Sequence, residues 1–277
     1  MKKLLYMAAC MFATLVFSGC NDMDNEPSGT YGEDEFWASV DRAQYLLNMI
    51  YNQHYSATMM WSDETLSDNL MRTRDYNDER VIRNGNAETT TPIFASTWKN
   101  LYGGIKTANM FLANIDRLKA DPKQINGMKA QARYLRAWMY LRLTEFYGNV
   151  PYFTHELSVA DSKRVTRTPH VQIMRALHTE LDSIMPHLPR RDDLTDDQRG
   201  HITCGAAVAL QARAYLYDGH WAKAERYCNM LISQQEKYGH YSLFPNYAAL
   251  FTQEAEYNEE IIADCEYAPK VRVWEDM

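Results

Sequence analysis

Residues 202–232 read ITCGAAVALQARAYLYDGHWAKAERYCNMLI, and this stretch gives the clearest architectural signal in the chain. A segment rich in small residues is followed by Asp218-Gly219-His220 and by a second segment that begins near Trp221. Gly219, an aromatic residue two positions later and Ala224 after a further three follow the tetratricopeptide (TPR) pattern, in which small residues let paired helices pack closely. The stretch therefore predicts a TPR-type helix hairpin. Self-similarity elsewhere is weak, so we expect TPR-like hairpins rather than a uniform array.

Apolar residues recur at gaps of three and four in several upstream segments, which places them on one face of a helix. The first expected helix spans 34–51, and the second runs from an N-cap at Ser96 or Thr97 to a stop at Asp121-Pro122. The third spans 123–147 and is ended by Gly148. The fourth begins at Thr168-Pro169 and ends at Pro186. Residues 241–245 read as extended and residues 260–267 as a short strand. The predicted fold class is mainly α, with TPR-like helical hairpins, long loops and a short strand element.

The first twenty residues, MKKLLYMAACMFATLVFSGC, have the layout of a bacterial lipoprotein signal. Two lysines precede an apolar core over 4–17, which is shorter than the ~20 residues that a bilayer-spanning helix requires. Ser18-Gly19 lead to Cys20, whose thiol can carry a diacylglycerol group, although Phe17 replaces the usual leucine. The alternative is an unmodified secretory signal with a coincidental cysteine. We expect a signal peptide over 1–19, lipidation at Cys20, a flexible tether over 20–33 and a helical domain over 34–277.

Charge and composition narrow the classes of function. Residues 1–19 contain two lysines and no acids, so the mature chain has 27 basic and 36 acidic residues and a net charge of −9. Because phosphate binding requires a basic face, we predict no nucleic-acid partner. The 19 tyrosines mildly favour carbohydrate binding, since Tyr and Trp stack on sugar rings. Cys204, Cys228 and Cys265 read as small buried hydrophobes, with a Cys204–Cys228 bridge as the alternative.

Motifs that would mark an enzyme are missing from the sequence. It contains no His-Glu-x-x-His, no Gly-x-Ser-x-Gly, no phosphate-binding glycine loop and no paired-cysteine motif, and its histidines are scattered. Asp63, Glu64 and Asp68 invite a glycosidase interpretation, but a hydrolase needs two carboxyls set across a cleft, and a solvated loop explains these residues better. We therefore predict no catalysis, no metal and no cofactor.

A long polar segment over 52–95 is predicted to be a loop, and loops of this length in compact domains are usually functional. Aromatic faces there can stack on pyranose rings, while polar side chains bind hydroxyls. The candidate ligand residues are Tyr55, Trp61, Asp68, Arg74, Tyr76, Asn84 and Asn86. The alternative is that Trp61 and Tyr76 pack back onto the helices. Helical spacing assigns a second group to packing: Trp98, Tyr102, Asn109, Arg136, Trp138, Tyr147, Gly148 and Trp221.

Five sequence blocks, taken in order after the lipobox, resemble the SusD/RagB family of outer-membrane nutrient-binding lipoproteins of Bacteroidetes. They are WKNLYGGIKTANMFLANI (98–115), QARYLRAWMYLRLTEFYGNVPYF (131–153), RTPHVQIMRALHTELDSIMPHLP (167–189), 199–232 and YSLFPNYAALFTQEAEYNEEIIADCEY (241–267). Asp22, Asp24 and Glu26 resemble the acidic run that sends such lipoproteins to the cell surface, with a merely solvated spacer as the alternative. Two departures stand out: Gln131 lies where the family usually has Glu, and family members are substantially longer, so the domain is expected to be a truncated one.

The resemblance implies a surface lipoprotein that captures an oligosaccharide and acts as a lid on a SusC-type TonB-dependent transporter. It implies no catalysis. Ligand residues vary within the family, so none is carried over to this chain. The alternative is a TPR-like protein-interaction scaffold that does not bind glycan. A lipoprotein glycosidase is the weakest of the three hypotheses.

Overall fold

The computed structural model describes residues 32–54, 57–71 and 78–265, and within them the chain is mainly helical. The α-helices are α1 (Glu33–Phe36), α2 (Val40–His54), α3 (Ala57–Glu64), α4 (Asp78–Arg83), α5 (Pro92–Asn114), α6 (Pro122–Tyr147), α7 (Val159–Ser162), α8 (His170–Ile184), α9 (Cys204–Tyr217), α10 (Trp221–Ser233) and α11 (Gln235–Tyr238). Short 3-10 turns lie at Ile115–Arg117, Met185–His187, Arg191–Asp193, Asp196–Gln198, Ala249–Phe251 and Gln253–Ala255. The signal peptide, Cys20 and most of the tether lie outside the described residues. None of the helices in the described ranges combines the length and the apolar character needed to cross a membrane.

The helix hairpin predicted from residues 202–232 is confirmed as α9 and α10, which pack on each other. Thr203 caps α9 by accepting a hydrogen bond from the Ala206 amide at 3.1 Å. Gly219 turns the chain between the helices with a φ of 75°, a conformation that glycine adopts without strain. The expected packing of Trp221 is wrong, because α10 packs chiefly on α9 and the Trp221 side chain remains 67% exposed.

Helix α6 is the centre of the core, since it packs against α2, α5 and α8. Leu135, Met139 and Leu143 on α6 are completely buried. Gly104 allows the close approach of α5, because an added Cβ would overlap the Met139 side chain. The predicted start and end of α6 are confirmed: the Asp121 side chain accepts a hydrogen bond from the Lys123 amide at 2.9 Å, and Gly148 follows with a φ of 67°.

Several predicted boundaries are wrong for identifiable reasons. The helix expected over 34–51 breaks after Phe36, because Trp37 is buried against Phe111. The expected loop over 52–95 contains α3 and α4, and α5 begins at Pro92 rather than after Ser96 or Thr97, with proline in the first turn. Helix α5 ends at Asn114, before the expected stop at Asp121-Pro122.

The start of α8 also differs from the prediction, because Asn149 rather than Thr168 supplies its cap. The Asn149 Oδ1 atom accepts a hydrogen bond from the His170 amide at 2.8 Å. Thr168 instead forms an isolated antiparallel bridge with Val150. Asn149 and Val150 therefore attach the segment after α6 to the start of α8.

The predicted strand over 260–267 does not form in its described part, residues 260–265, which consists of turns, bends and irregular backbone. A single backbone hydrogen bond, from the Ser242 amide to the Glu259 carbonyl at 3.1 Å, joins the neighbouring segment to residues 241–245. No described strand lies beside it to continue a ladder. Residues 266 and 267 lie outside the described ranges.

The alternative of a Cys204–Cys228 disulfide is also wrong, since both thiols are free. Cys204 is buried at the start of α9, as expected, but Cys228 is exposed on α10 and Cys265 is half-buried. Cys228 is exposed for the same reason as Trp221, because both lie on the outer helix of the hairpin.

Candidate functional site

The described parts of residues 57–91, which we call the polar lobe, contain four of the seven candidate ligand residues. Asp68, Asn84 and Asn86 are exposed at its surface, and Trp61 lies on α3. Tyr55, Arg74 and Tyr76 lie outside the described residues. The structure therefore keeps three polar candidates available to a ligand.

Arg83 organises the polar lobe. Its Nη1 atom donates hydrogen bonds to the carbonyl oxygens of Thr65, at 2.6 Å, and Leu70, at 3.2 Å. These bonds hold the turn that carries Asp68 against the end of α4. At the C-terminal end of α4, the Asn86 amide donates a hydrogen bond to the Val81 carbonyl at 3.0 Å. Asp68, Asn84 and Asn86 are thus carried by two turns that Arg83 joins.

Two further contacts attach the lobe to its surroundings. Glu79, which is 6% exposed, accepts a hydrogen bond from the Ser62 hydroxyl at 2.6 Å and so links α4 to α3. Asp78 accepts one from the Ile93 amide at 2.8 Å and so links α4 to the start of α5. Neither contact is predictable from local sequence, because the two partners lie at least fifteen residues apart along the chain.

A cavity of about 370 Å³, which we call the α6 cleft, lies beside the lobe between α2, α6, α9 and residues 262–265. The polar and aromatic residues that line it are His54, Asp63, Tyr134, Trp138, Arg142, Glu145, Arg213 and Tyr217. Trp138 is 6% exposed and packs against the His54 ring with a centroid separation of 4.1 Å. The packing prediction for Trp138 is therefore confirmed, although one edge of the residue lines the cleft.

Arg142 joins the cleft to the polar lobe. Its Nη2 atom lies 2.7 Å from both carboxylate oxygens of Asp63 on α3, and its Nη1 atom lies 3.1 Å from Glu145 Oε2. The guanidinium also covers the Phe146 ring at 4.6 Å from the ring centroid. Burial raises the pKa of the Glu145 carboxyl, and the charge of Arg142 opposes that rise. Asp63 is therefore committed to an ion pair rather than to the glycosidase role considered from sequence.

The residues assigned to packing form a second polar cluster on the opposite side of α6, which we call the clamp. Arg136 Nη2 lies 2.5 Å from Glu180 Oε1 on α8, and Arg136 Nη1 donates to Asn109 Oδ1 on α5 at 2.6 Å. Asn109 donates to the His155 carbonyl at 3.1 Å, and Tyr102 donates to the Pro151 carbonyl at 2.6 Å. These bonds hold the segment 150–155 against α5 and α6.

The clamp confirms the structural assignment of Asn109 and Arg136, which are 1% and 5% exposed. Trp98 packs between Tyr102 and Tyr147, with centroid separations of 4.8 and 5.2 Å. The sequence blocks indicated these packing residues, whereas Arg142 and Glu145 were not predicted as site residues. The sequence did contain a signal for this pair: Arg142 and Glu145 are oppositely charged and lie three positions apart on α6, a spacing at which helical side chains meet.

Within the described parts of the chain, no three His, Cys, Asp or Glu side chains group closely enough to hold a metal ion. Glu64 and Asp68 are exposed, and Asp63 pairs with Arg142. The absence of catalysis and of a cofactor remains a prediction.

Comparison with known proteins identifies relatives of this architecture. SusD-like protein P25 of Formosa agariphila is 29% identical over 180 residues, which cover 64% of this chain and 33% of that protein. A SusD-like carbohydrate-binding protein from Bacteroides fragilis superposes with a TM-score of 0.71 at 24% identity, over 78% of this chain and 44% of that one. Surface glycan-binding protein A from Bacteroides thetaiotaomicron, solved with laminarihexaose, superposes with a TM-score of 0.68 at 22% identity, over 82% of this chain and 49% of that one.

The two structural likenesses show a shared fold, and this chain spans about half the length of the proteins it matches, or less. Residues 30–216 match a SusD-like family described as starch-binding and associating with the outer membrane. That match includes the polar lobe, the clamp, α8 and α9, so it covers the helices that build both sides of α6. The chain therefore belongs to the SusD-like family.

Proposed function

We propose that this protein is a cell-surface glycan-binding lipoprotein that delivers an oligosaccharide to a SusC-type TonB-dependent transporter for nutrient uptake. Cys20 carries the lipid that anchors it in the outer membrane, facing the cell exterior. The protein binds its ligand without catalysis, and the chain works without a metal or cofactor.

The polar lobe carries the proposal. Amide and carboxylate groups on joined turns suit a ligand that presents many hydroxyls, because each can donate or accept hydrogen bonds at the surface. Asp68, Asn84 and Asn86 provide such groups, and Tyr55, Trp61, Arg74 and Tyr76 complete the proposed surface. The family's description as starch-binding supports this chemistry. Laminarihexaose bound to a protein of the same fold supports it as well.

Affinity electrophoresis tests glycan binding directly. The full chain, kept soluble in detergent, is run through native gels that contain starch, laminarin or other polysaccharides. We expect retarded migration with at least one glycan, a weaker shift for the Asn84→Ala/Asn86→Ala double variant and a weaker shift for Trp61→Ala. Asn229→Ala, at an exposed asparagine on α10, is the matched control and should migrate as the unsubstituted chain does. Unaltered migration with every glycan would contradict the proposal.

The anchor and the transporter need separate experiments. Metabolic labelling with a radioactive fatty acid should mark the unsubstituted protein and leave Cys20→Ser unlabelled; equal labelling of both would contradict lipidation at Cys20. Affinity purification from solubilised outer membranes should recover a TonB-dependent transporter. Recovery of the protein alone would contradict the delivery role.

The exposed end of the TPR-type hairpin favours a second candidate function, a protein-interaction scaffold. Tyr217 and Trp221 lie at the turn between α9 and α10 and are 63% and 67% exposed. Exposed aromatic residues of this kind anchor many protein interfaces. A partner other than a transporter, together with no binding to any glycan, would favour the scaffold over the lipoprotein that binds sugar.

A further inference from the structure

Another cavity, of about 200 Å³, lies where the polar lobe meets the helical core, and we call it the lobe cavity. Its apolar lining comes from three parts of the chain. Leu66 and Ile82 belong to the lobe, Ile93, Phe94 and Leu101 to α5, and Phe146 to α6. The ion pair of Asp63 with Arg142 lines both this cavity and the α6 cleft, so the two cavities are neighbours.

Apolar side chains face the lobe cavity without being fully covered by protein. Leu66, Ile82, Ile93 and Phe94 are only partly buried, whereas Leu101 is 1% exposed. A guest that covers this apolar surface removes it from water, which is favourable in proportion to the area covered. The cavity therefore favours a guest with an apolar surface.

The hydroxyl groups that line the lobe cavity already donate hydrogen bonds within the protein. Ser62 donates to a carboxylate of α4 at 2.6 Å, and Ser96 donates to the Ile93 carbonyl at 3.1 Å. The Tyr147 hydroxyl donates to the Phe94 carbonyl at 2.7 Å. A water molecule needs about two to four polar partners. Water or a sugar hydroxyl would therefore find few partners here, whereas an apolar guest needs none.

The charges of the lobe cavity favour a neutral guest. Among the described residues that line it, the charged ones are Asp63 and Arg142, which lie 2.7 Å apart and neutralise each other. A charged guest would lose its water without gaining an ion of opposite charge, and such a loss is costly.

The volume and the lining of the lobe cavity suit one six-membered aromatic ring. An apolar cavity of about 150 Å³ can hold a benzene molecule, so about 200 Å³ leaves room for one ring with a small substituent. Phe94, Phe146 and Tyr147 line the cavity, and aromatic pairs gain energy from edge-to-face and offset contacts beyond the area they bury. Asn100 also lines the cavity and is exposed, so a polar substituent on the ring can reach solvent there.

We infer that the lobe cavity is a binding site for one neutral aromatic ring. The inference goes beyond the proposed function, because it concerns a guest that is not a sugar. A bound ring contacts the lobe and the core at once, and so adds apolar contacts to polar links such as those of Asp63 with Arg142 and of Asp78 with the Ile93 amide. The same chemistry fits a free aromatic molecule and an aromatic substituent carried by a glycan.

Methyl NMR of the full chain in detergent tests the site, with 4-methylphenol as the probe. A bound aromatic ring shifts the signals of the methyl groups that it contacts. We expect saturable shifts for the cavity methyls, which are those of Leu66, Ile82, Ile93 and Leu101. No shift at any of these four residues would overturn the inference.

Two exposed residues of the same types serve as controls in this titration. Ile232 and Leu243 are 70% and 83% exposed, and neither lines the cavity, so their signals should not move. Shifts at these controls as large as those of the cavity methyls would mean that the probe binds without a site, and would contradict the inference.

Substitutions that fill the cavity test the site independently. Ile82→Phe adds volume from the lobe side and should raise the Kd for 4-methylphenol at least about tenfold, whereas Ile232→Phe should keep the unsubstituted Kd. If Ile82→Phe does not fold, Leu66→Phe makes the same test, with Leu243→Phe as its control. Unchanged binding of 4-methylphenol to a folded cavity variant would overturn the site, and retention of glycan in the affinity gels would still support the proposed function.

Four further probes define the guest and its source. Cyclohexanol should bind about threefold more weakly than 4-methylphenol and benzoate at least about tenfold more weakly; equal binding of either would overturn the aromatic or the neutral assignment. Methyl β-glucoside has no aromatic ring, and shifts of the cavity methyls by it would overturn the apolar assignment. Phenyl β-glucoside should bind: tighter binding than 4-methylphenol identifies a ring carried by a glycan, and weaker binding identifies a free aromatic molecule.

Discussion

Arg136 and Arg142 lie less than two turns apart on α6 and serve opposite sides of the molecule. Arg136 is 5% exposed and its bonds to Asn109, Glu180 and the Thr154 carbonyl all hold the fold. Arg142 binds Asp63 and Glu145 at the wall of an open cleft. The clamp side of α6 is therefore closed to solvent, whereas the cleft side is open to it.

The difference shows that residue type does not determine the role of an arginine on this helix. A buried charge has to be compensated by fixed partners, so the clamp tolerates little change. A partly exposed charge at a cleft keeps water as an alternative partner, so its loss affects stability less. Ligand chemistry is therefore expected on the Arg142 side, and fold stability on the Arg136 side.

Arg136→Met should produce the largest effect, because the buried Glu180 loses its closest partner and keeps only Arg133, at 3.0 Å, while Asn109 Oδ1 loses its donor. We expect a loss of about 3 kcal/mol in the free energy of unfolding, at the lower end of the range for breaking a buried ion pair. Urea denaturation followed by circular dichroism measures this value. A loss below about 1 kcal/mol would show that the clamp does not stabilise the fold.

Gly104→Ala should produce the next largest effect. An added Cβ would overlap Met139, which is fully buried, and overpacking of this kind costs about 1–3 kcal/mol. Gly103→Ala is the matched control, since a Cβ there meets no atom within 4 Å and alanine favours the helix. The urea midpoint should fall for Gly104→Ala and hold or rise for Gly103→Ala; equal midpoints would contradict the close packing of α5 on α6.

Arg142→Met should reduce stability by only about 1 kcal/mol, because Arg142 and Asp63 retain 18% and 33% side-chain exposure. It should also weaken glycan retention in affinity gels, since Asp63 would no longer be tied to α6. A stability loss as large as that of Arg136→Met would remove the contrast between the two sides.

The smallest predicted effect concerns pH and the buried His178 on α8. Burial lowers the pKa of His178 below its usual value, although its hydrogen bond to Gln211 opposes the shift. The unfolded chain therefore binds a proton more readily, so stability should fall as pH drops through about 6.5 toward the lower folded pKa. His178→Gln should flatten this part of the curve of unfolding free energy against pH; an unchanged slope would assign the pH dependence to other groups.

Helical spacing predicted the long helices and most of the clamp side of the molecule. The apolar stripe of α6, the hairpin of α9 and α10 and the packing roles of Asn109 and Arg136 all follow from local sequence. Each depends on residues within a few turns of one another or on a repeat pattern that small residues enforce.

The open side was harder to predict, because contacts distant in sequence decide it. Helices α3 and α4 are too short to be stable alone and are held by pairs such as Ser62 with Glu79. Asp63 and Arg142 are 79 residues apart, and spacing carries no information about such a pair. Trp37 likewise ends α1 by packing against Phe111, a partner that local propensity does not reveal.

Hydrogen–deuterium exchange of the full chain, with and without saturating maltohexaose or laminarihexaose, tests the contrast between the two sides most directly. We expect a bound hexaose to slow exchange in the polar lobe and in the residues around Arg142, and to leave exchange in the segment 150–155 of the clamp unchanged. Protection confined to the clamp, or to the exposed end of the hairpin of α9 and α10, would contradict it.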